Sequence, residues 1–300
     1  MLNPWTDETL CAYRRRRYRQ SSDLQLRTLD EAEAWLNEVG LCTFQPKQGV
    51  ELPSLYGAVA GTEGPAPRWG SHSHLYGRAW EWKDALLCSG RICYGKALGD
   101  YRLFVSLKVL PCLFALSDLN YGGDEDDYLE LYADGKLSFT GRNIYQIIAE
   151  SGPTSTTILR RCLGLAGGVD SRRFEHGLAE LQRGLLISAV DIARDNRWKY
   201  TFAYDSTLRQ FPAQIAQARQ LRWPEAMTWV LRWYLGLVGC IALRRVAVLF
   251  GWEEVRLRRL VNRLAADGDI GWDAEKSLVW IWPMSDGKRL PLPRRERGQG

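Results

Sequence analysis

The sequence predicts an α+β fold, mostly helical, in which three helical modules each close with a two-stranded ribbon. Three observations carry that expectation: an internal repeat, glycines at the ends of helix-period apolar stripes, and basic side chains gathered on particular elements of each repeat. The repeat aligns Arg142–Tyr204 with Pro224–Trp282 on Gly152 and Gly239. Leu159 then matches Val246, Leu163 matches Phe250 and Gly164 matches Gly251; after a four-residue gap, Phe174, Leu178 and Leu181 match Leu257, Val261 and Leu264. Each match falls where a helix faces a core.

In the second copy, Met227, Val230, Leu231, Tyr234 and Val238 recur at three- and four-residue steps. They line one stripe of a helix opened by Pro224 in its first turn and ended by Gly239. Leu243, Val246, Ala247 and Phe250 repeat the period, and Gly251 closes that helix, because a residue without a Cβ takes the left-handed cap conformation at little cost. A third helix, Glu253 to Asp267, turns Leu257, Leu260, Val261 and Leu264 inward and leaves Arg256, Arg259, Asn262 and Arg263 on the other side. Beyond Gly268, Ile270 and Trp272 alternate with polar neighbours, Asp273 to Lys276 turn the chain, and Leu278 to Trp282 return as a strand.

The first copy follows the same plan. Ile144, Ile147 and Ile148 line its opening helix, Gly152-Pro153 makes the turn, and Thr154 to Thr157 offer side-chain oxygens to cap the second helix. Ser171 is placed to cap the third, with Arg172 and Arg173 at its start, where unsatisfied backbone amides attract anions. Leu185 to Ile192 and Trp198 to Tyr204 flank a basic tip, Arg194-Asp195-Asn196-Arg197, with Lys199 close behind. Helix, turn, helix, helix and ribbon is the grammar of a winged helix-turn-helix, a unit used mostly to hold nucleic acid. On that reading Arg172, Arg173, Arg194, Arg197, Lys199, Arg256, Arg259 and Arg263 are the candidate contacts to double-stranded DNA, with the wing tip suited to a phosphate backbone or a minor groove.

A looser third outline lies towards the N-terminus. Thr28 starts a helix as a capping box with Glu31; Ala32, Trp35, Leu36 and Val39 make its stripe, and Gly40 stops it. After a Pro/Gly-rich stretch from Gly61 to Gly70 comes a helix near Arg78 to Leu87, then Arg91–Leu98 and Tyr101–Val109 pair across Gly99-Asp100 as a hairpin. The chain therefore divides into a basic segment (1–27), a divergent first winged helix (28–120), an acidic linker (121–140), a second (141–205) and a third winged helix (206–283), and a basic tail (284–300).

Composition bounds the function. With 300 residues, 46% hydrophobic content and 13 tryptophans, the chain is large enough for several packed cores. Net charge is only +5, so distribution rather than balance points to a nucleic-acid partner: the acidic run Asp124–Asp127 offsets arginine clusters at 14–19, 160–161, 172–173, 244–245 and 256–263. The competing reading takes those arginines as a solvated face over Trp and Tyr. No run approaches the roughly 18 apolar residues of a membrane span, so a cytoplasmic protein is expected. Seven cysteines, scattered singly, fit neither a disulfide framework nor a zinc finger, and His72 and His74 are as well explained by a surface turn as by a metal. No P-loop, dinucleotide fingerprint, metal-binding helix or nucleophile elbow appears, and no cofactor is expected.

Three winged helices in tandem are uncommon, and here the residues resemble the bacterial winged-helix DNA glycosylases of the AlkZ/YcaQ kind. The resemblance rests on Glu38-Val39-Gly40-Leu41 leading to a loop and helix, on Gly95–Leu107 as a wing strand, and on Leu231–Gly239, similar to the family's Tyr-Leu-x-x-x-Gly segment, followed by Phe250-Gly251. It spans Thr28 to Trp282. It implies excision of alkylated bases and unhooking of interstrand crosslinks, and a Gln, an apolar residue and then Gln or Asp just after the Gly-Leu, positioned to hold the attacking water. Counting from Gly40-Leu41, those positions here are Cys42 and Phe44, and neither polarises water. No counterpart of the family's C-terminal barrel is expected, since a basic tail follows Trp282.

Two other constellations could supply the chemistry. Gln45 and Gln48 lie nearby but three apart, with Pro46 between them. Lys83 as amine and Asp84 as carboxylate, with Trp80 and Trp82 to stack on a displaced base, form the other. Against the latter stands the ordinary reading, a Trp-x-Trp anchoring a core beside a solvated Lys-Asp pair. Three functions stay open: a monomeric duplex-binding protein built like the glycosylases, acting on intact or damaged DNA with glycosylase chemistry weakened or lost; an active glycosylase using one of those constellations; and a winged-helix transcription regulator, which would favour a symmetric dimer.

Overall fold

The computed structural model describes residues 3–67, 73–117, 124, 126–165, 168–193 and 200–282. In chain order the elements are α1 (Asp7–Arg17), α2 (Leu29–Val39), β1 (Leu41–Thr43), α3 (Leu55–Ala60), α4 (His74–Cys88), β2 (Ile92–Leu98), β3 (Tyr101–Ser106), α5 (Leu110–Ala115) and α6 (Asp127–Ala133). There follow α7 (Phe139–Ser151), β4 (Thr154–Ser155), α8 (Thr156–Leu163), α9 (Gly168–Arg183), β5 (Ile187–Ala193), β6 (Thr201–Ser206), α10 (Thr207–Gln210) and α11 (Pro212–Ala218). The last are α12 (Trp223–Val238), β7 (Cys240–Ala242), α13 (Leu243–Phe250), α14 (Glu254–Ala266), β8 (Gly271–Asp273) and β9 (Leu278–Trp280). Among the described residues the fold is mixed α/β, about 54% helical, with no barrel.

One order, helix, strand, helix, helix and two strands, recurs three times: from α2 to β3, from α7 to β6, and from α12 to β9. Glycine sets the punctuation. The first helix of each set stops at Gly40, Gly152 or Gly239, with φ of 79, 78 and 79°. The second stops at Gly61, Gly164 or Gly251, all left-handed caps. A side chain at these six positions would meet the steric cost of positive φ.

The chain separates into two compact units, residues 1–80 with 223–300, and residues 81–222, the division falling inside α4. In the first unit, Leu231, Tyr234, Val246, Leu257, Val261 and Trp280 are all fully buried. Removing each such side chain from water is worth about 1.5–3 kcal/mol, so the stripes of α12, α13 and α14 stabilise one core. Strand β9 lies between β7 and β8, pairing Ile241↔Val279 and Trp272↔Val279. A Cβ at Gly271 would overlap the Trp280 ring, so only glycine lets the indole close over this ribbon.

Helix α1 is tied to the end of α12. Arg14 donates to the carbonyls of Val238 (2.9 Å) and Cys240 (2.7 Å), satisfying acceptors where the helix dipole favours a cation. Trp5 Nε1 donates to the Ile281 carbonyl at 2.9 Å. At α2 the Thr28 hydroxyl accepts from the Glu31 amide (3.2 Å), but the Glu31 carboxylate accepts from Arg27 N (2.7 Å), one residue earlier than a capping box requires.

In the second unit neighbouring strands run β3-β2-β5-β6-β4. The two hairpins are joined edge to edge through Tyr94↔Ala189, so neither ribbon stands free. Helices α7 and α9 approach closely because both carry glycine at the crossing: a Cβ on Gly177 would come within 2.9 Å of Gly141 N. Ser155 caps α8, accepting from Ile158 N at 3.3 Å, as its position between Thr154 and Thr157 suggests. Ser171, expected to cap the third helix, instead lies inside α9, which begins at Gly168. The helix expected near 78–87 starts earlier, at His74. The ribbon strands begin two or three residues later than the sequence indicates, and their tip, with Arg194, Arg197 and Lys199, lies outside the described residues. Within the acidic stretch 121–140, residues 127–133 form α6, held by Tyr128 and Leu131 in the core.

Candidate nucleic-acid interface

Helix α14 presents two faces of opposite character. Leu257, Leu260, Val261 and Leu264 are buried, whereas Val255, Arg256, Arg259, Asn262 and Arg263 are exposed. Four arginines against one glutamate give the helix a charge of +3. Arg256 pairs with Glu253 (2.8 Å) and lies 5.7 Å from the Trp223 ring; Arg258 pairs with Glu254 (3.0 Å) and lies 5.6 Å from the Trp272 ring. Arg259 and Arg263 have no ion-pair partner among the described residues.

Helix α9, in the other unit, carries Arg172 and Arg173 exposed on its outer side. Here the charges largely return on themselves. Arg173 faces Asp170 at 3.8 Å, and Glu175 accepts from Arg160 of α8 at 2.7 Å while that guanidinium stacks 4.1 Å from the Phe174 ring. Three acidic and three basic residues leave α9 neutral, with His176 uncounted.

The segment after Gly40-Leu41 offers no water-holding group at the positions the family resemblance marks. Cys42 is fully buried in β1, where its thiol donates to the Thr43 carbonyl (3.0 Å) and burial pushes its pKa well above the ordinary thiol range. Phe44 packs edge to face on Tyr76 and Trp80, with centroids 5.5 and 5.3 Å apart. Gln45 is half-buried and its backbone carbonyl accepts from Thr43 Oγ1 (2.8 Å); Gln48 is exposed. A cavity of about 430 Å³ lies between α1 and the 46–54 loop; of its charged walls, Arg14 is held by backbone carbonyls, Arg15 by Glu63 and Glu51 by Arg245.

Lys83 and Asp84 do come together, though not as a solvated pair. The Lys83 side chain is only 2% exposed, and its ammonium donates to Asp84 Oδ1 and to the Tyr200 hydroxyl, which itself donates to the same carboxylate. Burial pulls the lysine pKa below its usual range, with Asp84 pulling it back. Burial, and then the hydrogen bond to Asp84 and its charge, push the Tyr200 hydroxyl up. Tyr200 stands 116 residues from Asp84 along the chain, so no local pattern announces it. Trp82 is half-buried on the same helix.

Among the described residues no cluster of His, Cys, Asp and Glu could hold a metal ion, and no helix is long and apolar enough to cross a membrane. His72 lies outside the described residues.

Residues 26–251 match the AlkZ-related family. The solved structure of Streptomyces sahachiroi DNA glycosylase AlkZ aligns with a TM-score of 0.52 at 13% identity, over 90% of this chain and 69% of that one. At that identity the likeness speaks for the fold alone. No curated protein matches the chain.

Proposed function

The chain belongs to the AlkZ-related family, and from that premise we propose that it binds duplex DNA through three winged helices and holds it without cleaving a glycosidic bond. The threefold recurrence of helix, strand, helix, helix and ribbon, with glycine ending the first and second helix of each set, supports the winged-helix reading. The observation that carries the binding is the outer face of α14, a third helix whose Arg259 and Arg263 are exposed and unpaired among the described residues. Duplex DNA presents about one negative charge per 1.7 Å of axis and is the partner such a face suits.

Cys42 and Phe44 speak for loss of the chemistry. Bond cleavage needs a group that orients water at the sugar and stabilises developing positive charge. A buried neutral thiol and a phenyl ring packed among aromatics do neither. The enclosure of Lys83 supports the same reading, because a nucleophilic amine must reach the sugar, and this one is held by Asp84 and Tyr200. Titrating a labelled duplex over a series of salt concentrations tests the binding. The affinity is expected to fall steeply with salt, with log K dropping by about 0.9 for each phosphate neutralised; a salt-insensitive complex, or none at low salt, would overturn it.

A further inference from the structure

We infer that α14 reads base edges in the major groove, so that the protein binds some duplex sequences in preference to others; this rests on the duplex-binding reading above. Phosphate contacts need only positive charge, and they carry no sequence information. The outer face of α14 holds more than charge. Val255, Arg259, Asn262 and Arg263 follow one another at steps of four, three and one residues, so they share one side of the helix. Val255 is 62% exposed, an apolar side chain standing on a basic face with no core to enter. Asn262 is exposed and makes no side-chain hydrogen bond among the described residues.

These three chemistries match what the major groove displays. A guanidinium spans O6 and N7 of guanine, a carboxamide spans N6 and N7 of adenine, and an aliphatic side chain meets the thymine methyl. The groove is about 12 Å wide and admits one helix. Arg256 and Arg258 are held to the flanks by Glu253, Glu254 and two tryptophan rings, which places them to meet the phosphates on either side and leaves the middle of the face to Arg259 and Asn262. Helix α9 has no such face among the described residues: it is neutral, Arg173 stands beside Asp170, Glu175 is taken up by Arg160 of α8, and no exposed amide or aliphatic group lies among its arginines. Of the two helices, reading is therefore assigned to α14.

The test is enrichment of a randomised duplex pool by the full chain, followed by titration of the enriched site. The account predicts a short motif within one groove segment. Asn262→Ala should flatten the preference at one position by at least about fivefold while leaving the salt slope unchanged. Replacing thymine with deoxyuridine in the motif should weaken the parent but not Val255→Ala. Both positions are exposed, so both variants keep the fold. Salt-sensitive binding with a featureless pool, or a motif that Asn262→Ala and Val255→Ala leave intact, would overturn the inference and spare the duplex reading. Failure of the parent to bind any duplex at low salt would remove both.

Discussion

The rings of Phe44 and Trp80 meet edge to face, with centroids 5.3 Å apart and planes at 88°. That contact, together with Tyr76, commits position 44 to packing. Phe44→Ala is expected to cost about 2 kcal/mol, below the range for a fully buried phenylalanine because the residue is only half-buried. Cys42→Gln, which forces a larger amide into a fully buried site, should cost about 1–3 kcal/mol. Urea unfolding reads both. A Cys42→Gln/Phe44→Gln variant that is as stable as the parent and releases free base would show an open, water-accessible site instead.

Lys83 gives a contrast between two substitutions. Asp84→Ala leaves a buried ammonium without its carboxylate and is expected to cost about 3 kcal/mol, the low end for such a loss because the Asp84 side chain is 27% exposed. Lys83→Met replaces the stem by a side chain of similar volume and should stay within about 1 kcal/mol of the parent. If Lys83 were a nucleophile, borohydride would trap a covalent adduct with abasic DNA that Lys83→Met abolishes. No adduct is expected.

Charge on the third helices separates the two units. Arg259→Ala/Arg263→Ala should weaken duplex binding and lower the slope of log K against log salt by about 0.9, the share of the one phosphate left to Arg263 when Arg259 faces base edges. Arg172→Ala/Arg173→Ala should do less, since Asp170 faces Arg173 and α9 is neutral overall. Equal losses in the two variants would mean that α9 and α14 carry the phosphates alike.

Buried thiols set an alkaline limit on stability. Burial pushes Cys93 and Cys112 up to about 12, against about 8.5 for a free thiol. Between those values the unfolded chain has lost protons that the folded chain keeps. Stability is therefore intact below about pH 8.5 and falls as pH rises, by about 1.4 kcal/mol per pH unit for each thiol. Urea midpoints taken from pH 7.5 to 10 should decline, and Cys93→Ala/Cys112→Ala should lessen the decline, leaving the share of the buried Cys42 thiol. A midpoint independent of pH would show that these thiols titrate as freely folded as unfolded.

Much of the fold was legible because long helices print their period. The stripe of α12 and the inward leucines of α14 stand where the three- and four-residue steps put them. Short elements print nothing: β4 and β7 have two and three residues, and α3 has six, too few to show alternation or a helical stripe. Gly61 consequently reads as one glycine of a loop, although it caps α3 as Gly164 caps α8. At the site, the exposed arginines of α14 follow from periodicity. The enclosure of Lys83 does not, because Tyr200 reaches it only after the chain has folded through two hairpins.

The central claim, a duplex held by the frame of a glycosylase without its chemistry, is tested most directly by single-turnover incubation of excess protein with alkylated and with crosslinked duplexes, following bound DNA and free base together. The account predicts a salt-sensitive complex and no base released above the protein-free rate. Release of base from either substrate at a rate that rises with protein concentration and saturates would contradict it.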